Sequence, residues 1–160
     1  MDHTGPIGGG MPGPQGGTRS FEDYLNEYGT LTYRNTGVSM EPLLHQDRDL
    51  FTLVRKGPER CSKYDVVLYR RGTDTYVLHR VVEVRPEDYV ILGDNCVSKE
   101  YGIREEQILG VMTSCLRKGK EIRVTDPGYR VYSRVVVALF PLRRLLFRVR
   151  RGIRKLLGRA

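Results

Sequence analysis

Between Thr30 and Val124 the chain is a succession of short β-branched and aromatic runs, and this alternation restricts its fold more than any other feature. The runs are Thr30 to Thr36, Leu50 to Val54, Val66 to Tyr69, Tyr76 to Val84, Tyr89 to Leu92, Leu109 to Leu116 and Glu121 to Val124. Turn clusters such as Lys56-Gly57-Pro58, Arg71-Gly72-Thr73-Asp74 and Arg85-Pro86-Glu87-Asp88 separate them, as expected for strands joined by tight connections. No long helical pattern lies between the runs, which argues against parallel βαβ units. The expectation is a mostly β body: a coiled antiparallel sheet closing on itself.

The flanks read differently. Residues 1–17 hold seven Gly and three Pro; ordering them would lose backbone entropy with almost nothing to bury. Residues 1–19 are therefore expected to be a disordered arm. Ser20 and Asp23 read as a capping pair, and Phe21, Tyr24, Leu25 and Tyr28 fall at helical spacing before Gly29, which predicts a short amphipathic helix. The body is expected over 20–126 and a separate basic tail over 127–160.

Charge sharpens that division. The formal charge is +8, from 27 basic and 19 acidic residues. Ten of the basic residues lie beyond Pro127, where there is no carboxylate, so the body is mildly acidic and the basicity belongs to the tail. Leu142, Leu145, Leu146, Val149, Ile153, Leu156 and Leu157 line one helical face with Arg and Lys opposite, the pattern of a C-terminal amphipathic helix lying in a membrane interface. Each basic group near an anionic leaflet could add about 1 kcal/mol. Three partners fit the tail: an anionic membrane surface, the chain's own domain or an acidic protein, and nucleic acid. The last is disfavoured because little aromatic character is interleaved with the charge and no helix-turn-helix precedes the β body.

Cys61, Cys96 and Cys115 form an odd set without the paired spacing of a zinc site or a disulfide framework, which points to a reducing compartment and to no metal or other cofactor. Neither a signal-sequence pattern nor an apolar run of spanning length is read in the chain. The expected location is cytoplasmic, peripheral on the inner membrane face if the tail binds lipid.

Three stretches carry chemistry. Gly37-Val38-Ser39-Met40-Glu41-Pro42 places a serine in a tight turn after a strand; Val77-Leu78-His79-Arg80-Val81-Val82 places a histidine in an apolar strand; Leu92-Gly93-Asp94-Asn95 ends a strand in a polar turn. A serine nucleophile needs a base within about 3 Å and donors for the developing oxyanion. His79 shares a strand face with Val77 and Val81, so apolar flanks would keep its ring neutral and ready to accept a proton. A carboxylate behind it, Asp94 or Glu100, would fix the tautomer. Each residue also has a plainer reading: Ser39 as a turn residue, His79 as a core histidine bonded to backbone.

Taken together, GVSMEP, Asp49 in RDLFTLV, Asp65 in KYDVVLY, His79-Arg80 in YVLHRVV and Gly93-Asp94-Asn95 resemble, in order and separation, the serine-protease clan of signal peptidases and self-cleaving SOS repressors. The His-Arg pair is similar to the histidine-base branch of archaeal and endoplasmic-reticulum signal peptidases. The resemblance covers positions 30–116 and implies the coiled β fold of those enzymes. It further implies an endopeptidase with Ser39 as nucleophile, His79 as general base, and a third member from Asp94 or Glu100. Cys96-Val97-Ser98-Lys99-Glu100 follows Gly-Asp-Asn where the family usually has Asn and two aspartates, so Glu100 stands for the last carboxylate. Gly37 replaces the hydroxyl residue common in bacterial signal peptidases, leaving the backbone N–H of Ser39 as the named oxyanion donor. The family's N-terminal membrane anchor has no counterpart among these motifs, so the expected enzyme is a soluble or peripheral relative acting on a peptide or protein precursor. The alternative is an inactive binding or regulatory module on the same scaffold.

Overall fold

The computed structural model describes residues 11–12, 18–73 and 75–157, with side chains described over 20–73 and 75–153. Two short strands, β1 (Met11–Pro12) and β2 (Thr18–Arg19), pair antiparallel within the arm expected to be disordered; the rest of that arm lies outside the described residues. Helix α1 (Phe21–Tyr28) begins with the anticipated capping box: the Asp23 N–H donates to Ser20 Oγ at 3.0 Å, and Asp23 Oδ2 accepts from the Ser20 hydroxyl at 2.7 Å. It stops at Gly29, whose φ of 72° suits a residue without a Cβ.

The body follows as β3 (Thr30–Arg34), β4 (Leu50–Arg55), β5 (Val66–Arg71), β6 (Thr75–Val84), β7 (Tyr89–Leu92), β8 (Glu100–Ile103), β9 (Ile108–Arg117) and β10 (Lys120–Arg123). They form one eight-stranded antiparallel sheet in the order β3-β4-β9-β5-β6-β7-β8, with β10 also on β9. The ten-residue β9 is the keel: β4 runs along one side of it, while β5 and β10 share the other. The sheet is open, which corrects the expectation that it closes on itself. It ends on β3, which bonds β4 alone, and on the four-residue β8, which bonds β7 alone and contains Gly102 at φ 74°. β8 was not legible in the sequence; every other body strand appears within two residues of its expected start.

Two apolar layers flank the sheet. One packs Phe21 and Leu25 of α1 against Leu31, Phe51, Leu53, Leu68 and Met112. The other gathers Val67, Tyr69, Val77, Val81, Tyr89 and Ile91 around β5 to β7. Burying a side chain of this size contributes about 1.5–3 kcal/mol. Cys61 and Cys115 are buried, and no cysteine forms a disulfide among the described residues.

Helix α2 (Pro127–Ala138) buries Tyr129, Ser133 and Val136 against the body, while α3 (Phe140–Leu157) is exposed over 141–142 and 144–153, with Phe140 and Arg143 partly buried. No helix among the described residues is long and apolar enough to cross a membrane.

Candidate active site

Strand β6 sets the site because consecutive residues of a strand point to opposite faces. His79 and Arg80 are both buried, and they face opposite ways. The register shows where each looks. Val67 of β5 is opposite His79, so Tyr69 and Arg71 follow on the His79 face. Val81 pairs with Ile91, and Ile91 pairs with Glu100, which puts Glu100 on that face as well. Arg80 pairs with Leu92, and Asp94, two residues further on, shares the Arg80 face.

Ser39 enters from the loop between β3 and β4. Asn35, 2% exposed, organises this loop: its Nδ2 donates to the Gly37 and Leu44 carbonyls at 2.6 and 3.2 Å. The backbone of Asn35 bonds to Asp49 and Asp47 at the loop's far end. Asp49, fully buried, accepts from the His45 N–H at 2.8 Å and pairs with Arg48. The Arg48 hydrogen bond outweighs burial and holds the Asp49 carboxyl at about 2. Asp49 thus clamps the serine loop, while Asp65 caps the turn before β5 by accepting from the Ser62 N–H at 2.7 Å. Burial pushes the Asp65 carboxyl up.

The turn after β7 brings the two halves together. The Asn95 N–H donates to the Ser39 carbonyl at 2.8 Å, and Asn95 Nδ2 donates to the Val38 carbonyl at 3.2 Å. Gly93 is the meeting point. A Cβ there would lie 2.6 Å from Cys96 Sγ, 2.8 Å from the Ser39 carbonyl oxygen and 2.9 Å from His79 Nε2. Only glycine lets these three groups converge. Ser39 and His79 are therefore neighbours across Gly93, yet among the described residues no hydrogen bond joins their side chains. Ser39 is 7% exposed and His79 1%, so the site is almost closed. Among the described residues nothing accepts from the Ser39 backbone N–H, the expected oxyanion donor.

Behind His79 stands Glu100. Its Oε1 lies 3.1 Å from His79 Nδ1, and the Tyr69 hydroxyl lies 3.5 Å from the same nitrogen. Arg71 grips both carboxylate oxygens of Glu100, with Nε to Oε2 at 3.0 Å, and donates from Nη2 to the Tyr69 hydroxyl at 3.2 Å. Burial raises the Glu100 pKa, but hydrogen bonds from His79, Tyr69 and Arg71 prevail and hold the carboxyl at about 2. Burial, with Glu100 beside it, pushes the Tyr69 phenol up, so Tyr69 stays protonated. A stable anion thus faces Nδ1 and leaves Nε2 turned toward the Gly93 junction.

Asp94, the other carboxylate expected behind His79, is not there. It forms a bidentate pair with Arg80 at 2.8 and 2.7 Å, on the opposite face. Helix α2 seals this pair. Arg80 Nη1 donates to the Tyr129 hydroxyl and Ser133 Oγ at 3.2 and 2.9 Å, and the Tyr132 hydroxyl donates to Asp94 Oδ2 at 2.9 Å. The strand alternation is the physical reason: Leu92 and Asp94 share a parity that faces away from the imidazole.

The motifs left Tyr69, Arg71, Asn35 and Cys96 without roles. Alternation puts Tyr69 and Arg71 on one face of β5, but that this face is the His79 face depends on the pairing of Val67 with His79, which the sequence does not encode locally. Cys96 places its Sγ 4.0 Å from His79 Nε2 through a turn no local pattern foretells. No family model, curated protein or solved structure matches the chain.

Proposed function

We propose that this protein is a serine endopeptidase of the signal-peptidase-like, histidine-base type, cleaving a peptide or protein precursor. The observation that carries the reading is the polarity of His79, with the Glu100 carboxylate 3.1 Å from Nδ1 and Nε2 at the Gly93 junction beside the Ser39 loop. This is the order of groups a nucleophilic serine requires. In the proposed reaction Ser39 Oγ attacks the scissile carbonyl while His79 Nε2 takes its proton. Glu100 stabilises the imidazolium that results. The Ser39 backbone N–H donates to the oxyanion, and the Nε2 proton then passes to the leaving amine as the peptide bond breaks. Water repeats the sequence on the acyl-enzyme, with His79 as base, and releases Ser39.

Tyr69 and Arg71 are positioning residues: they keep Glu100 ionised and fixed without touching substrate. The test is cleavage of a peptide library by wild type and by Ser39→Ala, with Cys96→Ala as control. Loss of cleavage in Ser39→Ala and its retention in Cys96→Ala is the expected result. Unchanged cleavage in Ser39→Ala would refute the assignment.

A second reading, a binding or regulatory module that does not turn over, draws on the Cys96 thiol flanking Nε2 and on the missing Ser39–His79 bond. Binding of library peptides without cleavage, at equal strength in wild type and Ser39→Ala, would favour it.

A further inference from the structure

Helices α2 and α3 carry an apolar ridge that is left exposed among the described residues. On α2 it consists of Val131, Val135 and Leu139 at its end, 49–61% exposed. On α3 it continues through Leu142, Leu145, Leu146, Val149 and Ile153, 49–57% exposed. The Arg143 N–H bonds to the Leu139 carbonyl at 2.9 Å, so the two helices run on across their junction. From 131 to 153 the ridge is roughly 35 Å long at 1.5 Å per residue.

The body holds α3 by another side. Phe140 packs against the Val82, Val90 and Leu92 cluster, and Arg143 Nε donates to the Cys96 carbonyl at 3.0 Å. At roughly 100° per residue, Phe140 lies across the helix from the ridge and Arg143 to its side, so the ridge side chains point away from the domain. Arg148 and Arg150 flank the ridge, Arg144 and Arg151 lie on the opposite side of the helix, and no Asp or Glu occurs beyond Asp126.

We infer that this ridge lies in the surface of an anionic lipid bilayer. In that position the apolar side chains enter the acyl boundary, the flanking arginines meet the headgroups, and the remaining arginines add long-range attraction to the anionic surface. A second copy of the chain would bring rows of arginine against each other. Nucleic acid would neutralise the arginines but leave the Leu, Val and Ile ridge in water. The root of α3 rests on Cys96, whose thiol faces His79 Nε2, so a docked ridge holds the catalytic turn close to the bilayer.

The test is sedimentation of the full chain with vesicles. Three proteins are compared: wild type, Leu142→Glu/Leu146→Glu, and Arg144→Glu/Arg148→Glu/Arg151→Glu. All the altered side chains are exposed, and thermal melting checks that the body is unchanged. Wild type is expected to sediment with phosphatidylglycerol–phosphatidylcholine vesicles at least tenfold more strongly than with phosphatidylcholine alone. Both variants should lose that binding, and salt of about 1 M should weaken it, since exposed charges are screened there within about 3 Å. Equal binding of wild type and the Leu variant, or no binding of wild type, overturns the inference. So does binding to an oligonucleotide or an acidic peptide without vesicle binding, or a dimer that the Leu variant dissociates. Ser39→Ala should bind vesicles as wild type does, so a failed active site and a failed docking surface give separate results.

Discussion

Two adjacent residues of one strand, His79 and Arg80, each face a carboxylate, and the two pairs do opposite jobs. Arg80 and Asp94 are both almost wholly buried and bonded in bidentate fashion, with two tyrosines and a serine of α2 closing around them. Each side-chain nitrogen and carboxylate oxygen of the pair has a hydrogen-bond partner, so the pair holds α2 to the sheet. His79 and Glu100 are tied on one side only. Glu100 is fixed by Arg71 at its back, and His79 Nε2 has the Cys96 thiol at 4.0 Å as its hydrogen-bond partner among the described residues. Alternation in β6 thus separates, within two residues, a buried structural ion pair from the pair we propose to be reactive, and a network closed by four partners is a different object from one whose far nitrogen meets a single thiol.

Breaking the first pair has the largest expected effect. Asp94→Ala leaves Arg80 buried without its counter-charge and should cost about 3–5 kcal/mol of stability, measured by denaturant unfolding; a loss under about 1 kcal/mol would mean the pair is not what holds α2. Glu100→Gln sharpens the contrast. Arg71 keeps solvent contact in that variant, so stability should fall by only about 1–2 kcal/mol, while peptide cleavage falls about 10²–10⁴-fold as the imidazolium loses its partner. An equal effect of the two substitutions on stability would erase the distinction.

Gly93→Ala attacks the junction that both pairs flank. The new Cβ would press on the Ser39 carbonyl, whose backbone cannot yield, and should destabilise by about 1–3 kcal/mol while separating Ser39 from His79. Alanine tolerated with full activity would show that the junction is looser than its 2.6–2.9 Å contacts indicate.

The smallest effect is pH-linked. The Glu100 pKa is lowered from 4.5 to about 2 in the folded state. Its contribution is therefore complete above pH 4.5 and is lost as pH falls toward 2, when the unfolded chain binds the proton more readily. Wild type should lose more stability than Glu100→Gln across that window. Parallel stability curves for the two proteins would contradict the assignment of the lowered pKa to Glu100.

Much of this was legible in the residues. The strands declared themselves by alternation and turn clusters, and the Ser39, His79 and Gly93 stretches do converge in space. The choice between Asp94 and Glu100 was not legible, because it depends on the register of β6, β7 and β8, and β8 itself was hidden: Glu100-Tyr101-Gly102-Ile103 contains a glycine and a glutamate, both poor strand formers. Helix α2 was missed for the converse reason. Its Val- and Tyr-rich sequence has modest helical propensity, and what fixes it is tertiary: Tyr129, Tyr132 and Ser133 bonding to Arg80 and Asp94. The open edge of the sheet depends likewise on where β3 and β8 end, which local pattern does not encode.

The most direct test of the reactive pair is fluorophosphonate modification mapped by mass spectrometry in wild type, His79→Ala, Glu100→Gln and Tyr132→Phe. Tyr132→Phe removes one hydrogen bond from the structural pair and should cost only about 1 kcal/mol of stability. The account predicts an adduct on Ser39 in wild type and Tyr132→Phe, strongly slowed in Glu100→Gln and absent in His79→Ala; an adduct that forms equally in all four, or on a residue other than Ser39, would contradict it.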